Sequence, residues 1–159
     1  MTSPAKIKEF IRESNAIENV WDEESVEQSY HAWEYLVKQD KLSNAVICKT
    51  HKILMINHDY PPGLGYYRDM QKWNVQVGGR VAPPWWMIKG LMDNWLLDFG
   101  EAEGVNERQA HRRFEMIHPF CDGNGRSGRL IYLWHRMKQG KRIHIIREAT
   151  KQDYYRWFK

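Results

Sequence analysis

Cysteine is scarce in this chain. Two occur in 159 residues, Cys48 and Cys121, too few for a disulfide framework, so a reducing cytoplasm is the default setting. Nowhere do eighteen apolar residues run together, which excludes a membrane-spanning helix. The stretch from Met1 to Phe10 carries Lys6, Lys8 and Glu9 and no apolar core, so it does not read as a secretory signal. Internal repeats and low-complexity segments are also missing. Aromatic side chains are plentiful, at 13% with eight tryptophans, within 42% hydrophobic residues. That composition fits one globular domain over residues 1–159, long enough to bury a core.

The net charge of +4 hides an asymmetry. Residues 1–40 hold four Lys/Arg against nine Asp/Glu, whereas residues 105–159 hold thirteen against five. A basic C-terminal third calls for an anion, and the acidic N-terminal segment is a candidate to lie against it. The arginines gather around a glycine-rich turn and do not spread along one helix face. A compact anion is therefore favoured over nucleic acid.

Periodicity predicts helices nearly throughout. Ser3-Pro4 opens one through Ile7, Phe10, Ile11 and Ile17. Asp22 opens a second with Val26, Tyr30, Trp33 and Val37, and a third runs from about Ser43 to Met55. Pro61, Pro62, Gly63 and Gly65 mark a loop. Between Trp73 and Val81, Val75, Val77 and Val81 flank Gly78-Gly79 and predict a β-hairpin. Pro83-Pro84 precedes a helix with Trp85, Ile88, Met92, Trp95 and Phe99 on one side. Asn106 and Gln109 suggest a capping box before a helix ending at Pro119. Another resumes near Arg126 and stops at Gly140, and a short one covers Tyr154 and Trp157. The expected class is all-α, a helical bundle with one small hairpin.

The chemistry lies between two of these helices, in His118-Pro119-Phe120-Cys121-Asp122-Gly123-Asn124-Gly125-Arg126-Ser127-Gly128-Arg129. Gly123 and Gly125 permit the positive φ and close backbone approach that aim successive N–H groups at one anion. The next helix starts there and adds its dipole. Arg126 and Arg129, three apart, share a face and can hold two phosphates. Asp122 is a hard oxygen ligand suited to Mg²⁺ bridging phosphates. His118 is a usable base near neutral pH.

At these residues the chain resembles the Fic family, whose pattern His-x-Phe-x-Asp/Glu-Gly-Asn-Gly-Arg-x-x-Arg is matched at every fixed position. The likeness extends to His111 and Phe114 before the motif and to the Pro62–Arg68 loop and hairpin upstream. It implies the Fic fold and a protein adenylyltransferase, moving AMP from Mg-ATP to a Tyr, Ser or Thr hydroxyl of a target protein. His118 would be the base and Asp122 the Mg²⁺ ligand. Gly123, Asn124, Gly125, Arg126, Gly128 and Arg129 would form the ATP-binding set, with the arginines on the leaving pyrophosphate, and Phe120 would anchor the loop in the core. The hairpin residues Val75, Gln76, Val77, Gly78 and Gly79 would be the flap that docks the target. Ser14-Asn15-Ala16-Ile17-Glu18-Asn19 matches the family's inhibitory pattern Ser/Thr-x-x-x-Glu-Gly/Asn. Ser14, Glu18 and Asn19 would then form a brake, with Glu18 aimed at Arg129 in place of the γ-phosphate.

Other readings of the same residues are weaker or stay open. Gly123, Gly125 and Gly128 also spell G-x-G-x-x-G, but the dinucleotide and kinase loops need a strand before the glycines, and here a helix precedes them. Cys48-x-x-His51 with His118-x-x-Cys121 has legal zinc spacing but would consume His118. His111 reads as a packed core residue and Arg68 as a pin for its loop. Tyr154 and Tyr155 read equally as adenine pocket or core. The family branch that transfers phosphate carries Lys in place of Gly125. Removal of AMP with Glu18 as base, and a non-catalytic ATP-binding module, remain open. So do the target, self-modification, and a homodimer in which the brake acts across chains.

Overall fold

A computed structural model describes residues 2–58, 63–69, 76–77 and 79–159. Among them are seven α-helices: α1 (Pro4–Ile17), α2 (Glu23–Leu36), α3 (Asn44–Met55), α4 (Ile88–Phe99), α5 (Glu107–Ile117), α6 (Asn124–Lys138) and α7 (Lys151–Tyr155). Strands β1 (Gln76–Val77) and β2 (Arg80–Val81) pair antiparallel, Gln76 opposite Val81 and Val77 opposite Arg80. The all-α class with a small hairpin holds. Val75 and Gly78 of the expected flap, and Pro61 and Pro62 of the expected loop, lie outside the described residues.

The helix starts follow local hydrogen-bond logic. Side chains of Ser3, Asp22 and Ser43 accept from the backbone N–H three residues on, at Lys6, Ser25 and Val46. Asn106 accepts from both Arg108 and Gln109. Each such cap is worth about 1 kcal/mol. The α6 helix differs in starting at Gly123, a left-handed residue with no side chain to offer its first N–H groups. It begins at Asn124, two residues ahead of the sequence expectation, because Gly123 makes the turn.

Helix α6 is central. It is buried from Arg126 to His135 and packs on α5, α1, α2 and α3. Polar tips on it find backbone partners: Trp134 Nε1 donates to Gln39 O at 3.1 Å, and His135 Nε2 lies 2.8 Å from Phe99 O. Trp95 on α4 closes the far side. It is 0% exposed, its Nε1 donates to Ala110 O at 2.9 Å, and its ring meets Phe99 and Phe114. Trp85 does not continue that stripe. Residues Trp85–Met87 form a 3-10 turn after Pro83-Pro84, which leaves Trp85 37% and Trp86 67% exposed. The tighter 3-10 winding, three residues per turn, moves their side chains off the α-helical stripe. The C-terminal segment likewise splits, into α7 and a 3-10 turn at Arg156–Phe158.

Replacing Trp95 by Ala removes a filled core volume and the indole hydrogen bond to the Ala110 carbonyl. The expected loss is about 3–5 kcal/mol of unfolding free energy in urea titrations. A loss below about 1 kcal/mol would show that the α4–α5 contact is not part of the cooperative core.

Candidate active site

Helix α5 ends at His118, which adopts φ 53, ψ 62 in the left-handed region. A non-glycine residue there is held against its preference, and Arg68 does the holding. Arg68 Nε donates to His118 O at 2.7 Å, and its Nη2 donates to Ile117 O at 3.1 Å and Pro83 O at 2.7 Å. The loop pin read from sequence is thus a helix C-terminal cap made by a buried arginine. Burial and the Arg68 charge hold the His118 pKa below the usual histidine value, so its imidazole is neutral and able to accept a proton at pH 7.

Beyond His118 the chain turns tightly. Asn124 clamps Phe120, accepting from Phe120 N and donating to Phe120 O, both at 2.8 Å. Phe120 is fully buried, as expected. Gly123 has φ 77, which strains any side chain, and a Cβ there would also displace Met55, whose Sδ would lie 2.7 Å from it. Its N–H donates to Asp122 Oδ1 at 2.8 Å. Gly125 faces the cleft, with the Glu18 carboxylate lying where its Cβ would be. Gly128 is turned toward α5: a Cβ there would meet Glu115 Oε1 at 2.7 Å and His111 Cε1 at 2.9 Å. Its glycine is explained by helix packing, apart from any contact with phosphate.

Arg129 is 1% exposed and its donors are used inward. Nε reaches Ser14 Oγ at 2.7 Å, Nη2 reaches Ser14 O at 3.0 Å and Glu18 Oε1 at 2.7 Å, and Nη1 reaches Tyr154 OH at 3.2 Å. Ser14 and Glu18 therefore meet Arg129 within one chain. Glu18 is the residue after α1, and Asn19 follows it at φ 57. That conformation explains Gly or Asn at the last position of the pattern, since both tolerate the left-handed region. Arg126 points elsewhere, its Nη1 3.1 Å from His58 Nε2, a partner no sequence pattern announced.

A cleft of about 750 Å³ opens over these groups. Glu18, Glu115, His118, Gly125, Arg129 and Tyr154 line it, with the exposed Tyr155 at its mouth. Tyr154 is buried and hydrogen-bonded to Arg129 and to His111 Nε2 at 2.7 Å, so it serves core and cleft together. His111 is packed, and burial with the Arg129 charge lowers its pKa to about 3. Among the described residues no group of three or more His, Cys, Asp and Glu could hold a metal. The zinc reading fails at His51, whose ring nitrogens face Asp122 O and Gly65 N. Asp122 is by contrast a single exposed carboxylate, the donor that Mg²⁺ would accept beside water and phosphate oxygens.

Glu115 was not singled out from the sequence, because a glutamate in an amphipathic helix reads as solvated. Its Oε1 is buried without a partner. Burial, with the Glu18 charge adding and Arg129 opposing, raises its pKa to about 7. An unfolded glutamate loses its proton near about pH 4.3. Between those values the folded state binds more protons than the unfolded one, so this group lowers stability as pH rises. Glu115→Gln should lift the urea midpoint over wild type by an amount that grows from about pH 4.5 to about pH 7 and then levels. A pH-independent difference would place the Glu115 carboxyl in solvent.

Residues 41–135 match the family described as "Fic/DOC family". A protein adenylyltransferase Fic of Nematostella vectensis is 30% identical over 127 residues, which are 76% of this chain and 29% of that protein. A protein adenylyltransferase of Caenorhabditis elegans is 33% identical over 125 residues, 74% of this chain and 24% of that protein. The chain thus spans about a quarter of the length of these relatives. Among solved structures, a Fic-domain-containing signalling protein from Bacteroides thetaiotaomicron superposes with a TM-score of 0.80 at 20% identity, covering 96% of this chain and 70% of that one. With the family match running over more than half of its residues and the fold shared almost end to end, this chain is a member of the Fic/DOC family.

Proposed function

We propose that the chain transfers AMP from ATP to a hydroxyl of a target protein, and that Glu18 restrains it. The observation that carries the reading is the Arg129–Glu18 pair at 2.7 Å, set in the same cleft as His118 and the first turn of α6. A guanidinium this deeply buried is a strong phosphate ligand, and an acid seated on it takes the place of a phosphate group.

The steps follow from the side chains. The backbone N–H groups of the first turn of α6, from Asn124 to Arg126, receive the phosphates. Arg129, freed of Glu18, neutralises the leaving pyrophosphate, and Arg126 would join it by turning from His58. His118 accepts the proton of the target hydroxyl as its oxygen bonds to the α-phosphorus and the bond to the β-phosphate oxygen breaks. Mg²⁺ on Asp122, when bound, would offset charge on the α- and β-phosphates. The Gln76–Val81 hairpin would align the target segment by backbone pairing. With Glu18 on Arg129, ATP cannot place its γ-phosphate there, and the α-phosphorus is not presented in line to the hydroxyl.

The test follows label from α-phosphate-labelled ATP with Mg²⁺ and a cell lysate. Glu18→Gly should label itself or a lysate protein at least about tenfold more than wild type, and Glu18→Gly/His118→Ala should label nothing. Equal labelling by wild type and Glu18→Gly would remove the brake. Absence of label in every variant, with ATP still bound, would favour AMP removal with Glu18 as base or a binding module. Label from the γ-phosphate alone would mean phosphate transfer.

A further inference from the structure

Helix α3 places His51 and Met55 one turn apart beneath the Phe120–Gly123 turn. The His51 ring stacks on Phe120 with centroids 3.8 Å apart and planes 6° from parallel. Its Nε2 lies 2.8 Å from Asp122 O and its Nδ1 3.0 Å from Gly65 N. A backbone N–H only donates and a carbonyl only accepts, so both edges demand one tautomer, with the proton on Nε2.

The Asp122 carbonyl held by His51 belongs to the same peptide unit as the Gly123 N–H, and that N–H holds Asp122 Oδ1 at 2.8 Å. A peptide is planar, so fixing its oxygen fixes the direction of its hydrogen. Orientation therefore passes from the His51 ring, through one rigid peptide, to the Asp122 carboxylate. The other ring edge holds the segment that carries Arg68, whose guanidinium fixes the His118 carbonyl. One imidazole thus braces both ends of the catalytic turn without facing the cleft.

We propose that His51 is a positioning residue that aims the Asp122 carboxylate, acting through the Asp122–Gly123 peptide and reaching neither nucleotide nor metal itself. This rests on the reading of Asp122 as the Mg²⁺ ligand of an ATP site. Residues one step removed from a metal typically change metal affinity or activity by about 10–100-fold when lost.

The experiment uses the Glu18→Gly chain, in which the nucleotide site is open, and compares His51, His51→Phe and His51→Gln. Phe keeps the stacked ring and loses both hydrogen bonds, while Gln keeps an amide donor within reach of Asp122 O. Calorimetric ATP titrations at varied Mg²⁺ should show the half-saturating Mg²⁺ rising about 10–100-fold in His51→Phe and partly restored in His51→Gln. ATP affinity in EDTA should change by less than about twofold, since Arg126 and Arg129 are untouched. Hydrogen exchange without any ligand should quicken about five- to tenfold at the Gly123 and Gly65 amides of His51→Phe, relative to amides in the middle of α6. A lowered melting temperature with unchanged Mg²⁺ dependence and unchanged Gly123 exchange would make His51 a plain core residue and overturn the proposal. If the parent Glu18→Gly chain shows no Mg²⁺-dependent ATP binding, the functional reading fails, and the exchange comparison still decides whether His51 holds the turn.

Discussion

A guanidinium closed off from water must find every partner inside the protein, and Arg129 imposes that demand on three parts of the chain. Leaving a buried charge uncompensated costs several kcal/mol, so the groups around it are constrained together. Ser14 supplies a hydroxyl and a carbonyl from α1, Glu18 a carboxylate from the end of α1, and Tyr154 a hydroxyl from α7. Tyr154 in turn binds His111 on α5. The cleft exists because these elements meet at one charged tip and leave a face of it open to a carboxylate or a phosphate. Tyr154 and Glu18 outweigh burial there and raise the Arg129 pKa, so the charge persists through any accessible pH.

The long-range charge split has a concrete counterpart. Arg147 pairs with Glu9 at 2.9 Å and with Glu13 at 3.3 Å, and Glu13 also accepts from Glu148 N at 2.8 Å. These contacts are exposed or partly so and add little stability one by one. Together with the packing of Phe10 and Ile11 they fix where α1 lies on the C-terminal segment. Register along that contact decides whether Glu18 falls opposite Arg129. An acidic N-terminal helix on a basic end was readable from composition; the specific partners were not, because many pairings satisfy the same charge sum.

What the sequence displayed well was whatever depends on neighbours along the chain. Helix starts near Ser3, Asp22, Ser43 and Asn106, the Gly123 turn, and the spacing of Ser14 and Glu18 are local matters of hydrogen bonding and periodicity. Residues that act through distant partners were less visible. His51 looked like half of a zinc pattern because its ring edges meet backbone atoms, and backbone leaves no mark in a sequence. His58 meets Arg126 across 68 positions, and the Glu115 Oε1 is buried where α6 presents Gly128 to it. Trp85 was assigned to the core by α-helical spacing, and a single 3-10 turn was enough to turn it outward.

Glu18 occupies the junction where α1 stops, with its N–H bonded to Asn15 O at 3.0 Å and its side chain 40% exposed. The docked body of α1, fastened by Ile7, Phe10, Ile11 and Arg147, need not shift for that carboxylate to leave Arg129. The last turn is packed too, with Ser14, Asn15, Ala16 and Ile17 buried, so it is the Glu18 carboxylate beyond that turn, and not the helix, that reaches solvent. The Arg129–Glu18 pair therefore sits at the boundary between a packed helix and an exposed loop. Whatever holds residues 18 to 21, such as Trp21, whose Nε1 donates to Asn19 Oδ1 at 2.8 Å, bears directly on how steadily the Glu18 carboxylate stays on Arg129.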